Sequence, residues 1–264
     1  MAKADRQIKE KLKLIDTVVE VLDARVPVAG RNPDISQYTA HKNHIIVLNK
    51  TDMADPVQNA RWKQFLENEP GVDNVILLNA KDQNDRKKLV EGIIKINPKN
   101  KAKIKCLLCG IPNVGKSTVI NALVGKHKTI TGNKPGVTKG QQWLVTPDGL
   151  LLLDTPGILW PKFEAQTIGM HLAWIGSIKD TIFEKENIAG ELMKFLVANY
   201  PQLLENRYGF TPDRHNIPWN FDALCEKKGL LLKGGDYDYL RASEMLIGDF
   251  KNGRLGRVTI DVCK

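Results

Sequence analysis

IKCLLCGIPNVGKSTVINAL, residues 104–123, is an apolar run, a glycine-bounded loop and the opening of a helix in immediate succession. Its inner eight residues, GIPNVGKS (110–117), fit the pattern G-x-x-x-x-G-K-[ST] in full, in the strand–loop–helix setting that pattern requires. Gly110 and Gly115 let the backbone N–H groups of Asn113, Val114, Gly115, Lys116, Ser117 and Thr118 close around phosphate oxygens, and the helix N-terminus adds a favourable field. Lys116 is expected to neutralise β- and γ-phosphate oxygens, and the Ser117 hydroxyl to ligate Mg²⁺. The stretch therefore predicts a nucleoside-triphosphate site.

Downstream, GLLLLDTPG carries Asp154 at the end of an apolar run and Gly157 three positions later. Asp154 is expected to hold Mg²⁺ through water, and Gly157 to give a backbone N–H to the γ-phosphate. Thr138, in KPGVTKG, lies in a Gly/Pro-punctuated loop where a threonine can cap Mg²⁺ while the γ-phosphate is present and let go after hydrolysis. Upstream of the phosphate loop stands NKTD (49–52). The Asp52 carboxylate can accept two hydrogen bonds from N1 and the exocyclic amino group of guanine, a donor pair adenine lacks, so the site is expected to reject ATP by leaving a carboxylate unpaired. Asn49 supports that loop and the Lys50 stem packs over the ring. Asn79-Ala80-Lys81 follows the next apolar run and resembles the Ser-Ala-Lys loop that backs the base in GTPases, with Asn79 in place of serine. In an ordinary GTPase the phosphate loop leads and the guanine motif trails. Here the order is reversed, as if the chain had been cut and rejoined.

The remaining apolar runs organise around these motifs. TVVEVLD (17–23), HIIVLN (44–49) and NVILLN (74–79) are short and β-branched or leucine-rich, as buried parallel strands are. Helical periods over residues 57–67 and 86–96 give a βαβ rhythm. QQWLVT and GLLLLD face each other across Pro147-Asp148-Gly149, a hairpin turn. Six strands, mostly parallel, predict a doubly wound α/β domain over residues 1–174. Beyond it, helical periods over 164–178, 188–196 and 239–246, with one strand-like run at 257–262, predict a smaller, mainly helical domain over residues 175–264.

Composition narrows the partners. With 42% hydrophobic and 26% charged residues the chain is globular in type, and no run of eighteen apolar residues suggests a membrane span. The charged, amphipathic start MAKADRQIKEKLKLID is unlike a signal peptide, which predicts a cytoplasmic protein with reduced thiols. Cys106 and Cys109 form a CxxC inside an apolar run, where cysteine packs as a small hydrophobe, and no second pair completes a zinc site. From Lys179 onward there are thirteen basic and thirteen acidic residues, so the whole net charge of +9 resides in the first 178. A basic nucleotide-binding domain fits a polyanionic partner such as RNA, with solubility and nucleotide attraction as the plainer account. Asp23 and Arg25, at the end of the first strand, are read as a structural ion pair. TPDRHN (211–216) is read as a polar loop, and Trp160, Trp174 and Trp219 as packing anchors.

These motifs resemble those of the circularly permuted GTPases, specifically the bacterial ribosome-assembly GTPases of the YlqF/RbgA type. The likeness extends to KLKLID, DARVP (23–27), RNPDI (31–35), KGGDYDYLRA (233–242) and DFKNGRLGRV (249–258), nearly the whole chain. It implies a circularly permuted P-loop GTPase domain of about six strands with a smaller helical C-terminal domain that interacts with RNA or the ribosome. It further implies GTP and GDP binding with Mg²⁺, and GTP hydrolysis in late maturation of the large (50S) subunit. The partners would be rRNA and ribosomal proteins, with Lys251, Arg254 and Arg257 as candidate rRNA contacts; a monomer is the default. In related loops an Asn at the position of Asn113 helps hold K⁺ beside the phosphates; a turn-forming role is the alternative. Two departures stand out. The aromatic-Pro-Gly-His-Met run that family members carry ahead of Ala-Lys-Ala is not in the sequence, so no role of its histidine is carried over. Ile158 follows Gly157 where many GTPases have a water-orienting glutamine, so hydrolysis is expected to be slow until a particle activates it. Rival readings are a GTP-controlled RNA scaffold or chaperone with incidental turnover and, against NKTD, a small-molecule kinase. Because the loop 157–161 runs almost directly into the helical region, the γ-phosphate state is expected to set the position of the second domain.

Overall fold

Each of the six apolar runs forms a strand, and a seventh strand joins them at the sheet edge. The computed structural model describes residues 12–32, 35, 39, 41–98, 103–125, 129–131, 143–154, 166–178 and 184–263. In chain order the strands are β1 (Thr17–Asp23), β2 (Asn43–Asn49), β3 (Asn74–Leu78), β4 (Lys105–Cys109), β5 (Thr129–Thr131), β6 (Trp143–Val145) and β7 (Leu151–Asp154). They form one sheet ordered β3-β2-β1-β4-β7-β6-β5. Pairing is parallel from β3 to β7 and antiparallel among β7, β6 and β5. β5 was not anticipated: three residues at an edge, with no apolar run, carry too little signal.

The order matters for function. The chain builds β1, β2 and β3 outward on one side, then returns to lay β4 against the other side of β1. The β1/β4 junction is thus the switch point of a doubly wound sheet, where ligands bind beyond the carboxyl ends of the strands. β1 is buried along its whole length, as a strand covered on both faces must be.

Among the described residues, helices α1 (Pro56–Glu67), α2 (Gln83–Lys95) and α3 (Lys116–Val124) accompany this sheet. Asp55 caps α1 by accepting from the Val57 and Gln58 amides, with Pro56 at its first position, and Asp82 caps α2 by accepting from the Asn84 amide. α3 starts differently, at Gly115 with φ +95° and no side-chain cap, leaving its first amides to another acceptor. One core beneath α1 gathers Leu22, Ile46, Leu48, Val75, Trp62, Leu66 and, from far along the chain, Cys263. Another holds Leu12, Ile15, Val18, Leu107 and Leu153. Cys106 is buried, and burial pushes its thiol up to about 12, so it packs as a hydrophobe. No group of metal-ligating side chains occurs among the described residues. No helix of the structure is long and apolar enough to cross a membrane among those residues.

The chain divides into two units: residues 1–162 with 261–264, and residues 163–260. Helix α4 (Gln166–Trp174) belongs to the second unit. Trp174 is buried there and its indole N–H donates to the Ile188 carbonyl at 2.9 Å. The other helices of this unit are α5 (Lys185–Asn199), α6 (Pro201–Tyr208), α7 (Ile217–Lys228) and α8 (Tyr239–Lys251). They enclose Ile188, Leu192, Met193, Leu196, Leu224, Leu246 and Phe250. The buried Asp249 carboxylate accepts from Arg207 Nε at 2.7 Å, Tyr208 Oη at 3.3 Å and Arg254 Nη1 at 3.3 Å.

Residues 257–262 do not form the strand their alternation suggests. The Thr259 amide donates to Tyr200 Oη and the Thr259 carbonyl accepts from the same hydroxyl, so a side chain replaces a ladder partner. The segment from Asp261 then joins the first unit. Asp261 Oδ2 accepts from the Val28 and Ala29 amides at 2.8 Å each. Its carbonyl accepts from Trp62 Nε1 at 2.6 Å, and the Cys263 amide donates to Gln58 Oε1 at 2.8 Å.

Candidate guanine-nucleotide site

Parallel pairing at the switch point brings the carboxyl ends of β1, β2, β3 and β4 to one edge, with the loop after each strand on that edge. After β4 the loop 110–115 turns twice through left-handed glycines, Gly110 at φ +145° and Gly115 at φ +95°. A Cβ on Gly110 would run into the Val21 carbonyl, and one on Gly115 into the Asn49 side-chain amide. Both positions are therefore closed to other residues, and the backbone is drawn in close around a cradle. Lys116 is buried at the start of α3, and its ammonium donates to the Gly110 and Ile111 carbonyls at 3.1 and 3.4 Å, poised over the loop it would serve. Ser117 and Thr118 are exposed on the first turn.

The loop after β2 is bonded directly to this cradle. Asn49 Nδ2 donates to the Val114 carbonyl at 2.9 Å, while Asn49 Oδ1 accepts from the Ala80 amide at 3.2 Å. One side chain thus joins the guanine motif, the phosphate loop and the loop after β3. Lys50 takes a left-handed backbone, φ +62°, and its ammonium donates to the Asn113 carbonyl at 2.6 Å. Asn113 is itself left-handed at φ +63°. Asp52 is exposed in the turn that follows β2.

In the loop after β3, Asn79 Oδ1 accepts from the Lys81 amide at 3.1 Å, forming an Asx turn. The Asn79 amide donates to Asp85 Oδ2 at 2.9 Å. These two bonds fix the shape of the loop at the residue that stands in place of serine. Asp85, on α2, is a supporting residue the motif reading passed over; its signal was its place in the first turn of a helix facing that loop.

Asp23 and Arg25, expected as an ion pair, form one: Arg25 Nε and Nη2 donate to the two Asp23 oxygens at 2.9 and 2.8 Å, both side chains fully buried. The Asp23 carboxylate also meets the Lys50 ammonium at 2.9 Å. Burial alone would raise its pKa, but the charges and hydrogen bonds of Arg25 and Lys50 outweigh burial and hold it well below the usual carboxylate range.

Asp154 is the last residue of β7, beside β4 in parallel register. Thr138, Gly157, Ile158 and Trp160 lie outside the described residues, as does the loop 157–161. In the second unit, TPDRHN is a polar loop as expected: the His215 amide donates to Asp213 Oδ1, and the Asp213 amide to Asn220 Oδ1. Trp174 is a packing anchor, whereas Trp219 is half-exposed, edge-on to Phe210. Of the basic trio 251, 254 and 257, Arg254 is engaged with the buried Asp249.

Residues 105–201 match the family model described as 50S ribosome-binding GTPase. The chain is 41% identical to ribosome biogenesis GTPase A of Bacillus cereus over 99% of its own length and 91% of that protein's. The chain belongs to the ribosome biogenesis GTPase A family. Solved structures agree: YlqF with GDP bound aligns at 30% identity and TM-score 0.73, over 97% of this chain and 98% of that one. GNP-bound YlqF from T. maritima aligns at 31% identity and TM-score 0.71, over 99% of each chain. As a member of the ribosome biogenesis GTPase A family the chain is a GTPase, its cofactors guanine nucleotide and Mg²⁺. Its circularly permuted sheet is the family's α/β fold.

Proposed function

We propose that this chain is a GTP-controlled assembly factor for the large ribosomal subunit, binding an immature particle in its GTP state and leaving it after hydrolysis. The observation that carries this reading is the clasp between NKTD and the phosphate loop, Asn49 to Val114 and Lys50 to Asn113, which ties together the two motifs assigned to the base and to the phosphates. Within it Asp52 reads guanine, Lys50 covers the ring and Asn79, Ala80 and Lys81 back the base. Backbone amides from Asn113 to Thr118 cradle the phosphates, and Lys116 neutralises charge that develops on them. Ser117, Asp154 and Thr138 are assigned to Mg²⁺, and Gly157 to the γ-phosphate. The close glycine cradle and the hydroxyl at the start of an uncapped helix suit such a group. Bound there, Mg²⁺ supplies positive charge to the β- and γ-phosphate oxygens.

The absence of a glutamine after Gly157 supports a slow intrinsic rate and activation from outside. Such activation reaches ~10⁵-fold in other GTPases, about 7 kcal/mol of barrier. The deciding experiment is the single-turnover hydrolysis rate with and without purified large subunits, with Lys116→Ala as the blank. Strong stimulation supports the assembly-factor reading. Intact GTP binding with no stimulation favours an RNA scaffold in which turnover is incidental. Asn113 is exposed in a left-handed turn at the phosphate loop, consistent with a K⁺ site; hydrolysis faster in KCl than in NaCl, with the difference lost in Asn113→Ala, is the expected result.

A further inference from the structure

Asp23 stands outside every nucleotide motif, yet parallel register sets it directly beside Asn49 at the ends of β1 and β2, one residue from Lys50. The Ala24 amide donates to the Asn49 carbonyl at 2.8 Å, tying the two strand ends together. Arg25 fixes the carboxylate in place: Nε and Nη2 occupy both oxygens, and the Arg25 amide adds a bond to Oδ1 at 3.1 Å. A planar guanidinium held in this bidentate way leaves the carboxylate little freedom to rotate. Its remaining capacity is directed at one group, the Lys50 ammonium, 2.9 Å from Oδ2.

Lys50 needs such an anchor. Its backbone is left-handed, a conformation that disfavours a side chain, and a free lysine chain has four rotatable bonds to order. With Asp23 Oδ2 on one side and the Asn113 carbonyl on the other, the ammonium is pinned and the aliphatic stem must bridge from the end of β2 to the phosphate loop. That bridge is the surface on which a guanine ring would lie.

We infer that Asp23 is a positioning residue for guanine-nucleotide binding, acting through Lys50 by holding its stem in the base-covering conformation before nucleotide arrives. This rests on the reading of residues 49–52 as the guanine motif. Arg25 serves a second, separable purpose, since it neutralises Asp23 and keeps the buried site folded. The distinction from a purely structural ion pair is that the effect of Asp23 on affinity should require Lys50.

A double-mutant cycle read by calorimetric titration with GDP tests this. Asp23→Asn is expected to weaken GDP binding about tenfold in the otherwise natural chain, because a lysine no longer pre-ordered must be ordered on binding. In a Lys50→Ala background the same change is expected to alter affinity by less than about twofold. Because Asp23→Asn leaves the Arg25 charge buried without its partner, the cycle is repeated with Asp23→Asn/Arg25→Met, which removes both charges of the pair and keeps the interior neutral. The same dependence on Lys50 is expected there. An equal loss with and without Lys50 overturns the positioning role and leaves Asp23 as structural. If Lys50→Ala itself binds GDP as well as the natural chain, the assignment of NKTD to the base fails first, and the inference with it.

Discussion

Asp23 ends β1 and Asp52 lies in the turn after β2, and the surroundings of the two carboxylates separate their roles. Asp52 is exposed and is assigned to the base. Replacing it with Asn exchanges an acceptor for a donor where N1 of guanine would donate. GDP affinity should fall by about 10- to 100-fold, the worth of a charge-assisted pair, while XDP affinity rises; competition binding measures both. Asp23 is buried between two cations, and its folded-state pKa lies below the ordinary 3.8. Its contribution to stability is therefore complete above that ordinary value and is lost as pH falls through the lower folded value. Urea denaturation of the natural chain and Asp23→Asn should show their widest stability gap at pH 5 and above, narrowing as pH drops toward 2. A gap that widens on acidification would contradict the sign. The candidate site residues could be proposed from sequence because nucleotide chemistry restricts residue types at fixed spacing. The link from Asp23 to Lys50 was not legible, since it depends on the register of two strands twenty residues apart in sequence.

At the level of elements, α3 differs from its neighbours in how it starts. α1 and α2 satisfy early amides with aspartate caps, whereas α3 begins at left-handed Gly115 without one. Gly115→Ala would place a methyl against the Asn49 amide in a backbone conformation that opposes it. A destabilisation of about 1–3 kcal/mol is expected, with GDP affinity lowered as well because the same amide holds Val114. Thermal melting with and without GDP would register both effects. Parallel strands were readable because burial on two faces writes continuous apolar runs, as in β1 and β4. α6 and α7 were missed: PQLLENRY and IPWNFDALCEKK open on prolines and bury scattered positions, Asn220 among them, so no clean period appears. The alternation at 257–262 misled for a complementary reason, since a strand pattern without a pairing edge forms no strand.

On the scale of the whole chain, the second unit is inserted between Lys162 and Asp261 of the first. Asp261 caps the loop that follows the Asp23–Arg25 pair, and its carbonyl holds the buried Trp62. Asp261→Ala leaves the buried Ala29 amide without its acceptor and should destabilise the first unit by about 1–3 kcal/mol. Asp261→Asn, which keeps an oxygen at that position, should lose less. Trp62 emission during chemical denaturation reports on this unit, with contributions from the other tryptophans removed by Phe substitution; equal loss in the two variants would show that the charge, not the acceptor, is what matters.

The segment that holds Trp62 also has a consequence in time. A ribosome elongating at about 5–20 residues per second delivers Asp261 some 5 to 20 seconds after Lys162, because roughly a hundred residues lie between them. During that interval every strand of the sheet has been synthesised, but the partners of the Trp62 indole and of the Val28 and Ala29 amides have not. The pace of translation therefore sets the earliest moment at which these bonds can form, and synonymous codon changes that slow residues 163–260 would lengthen the period in which α1 lacks them.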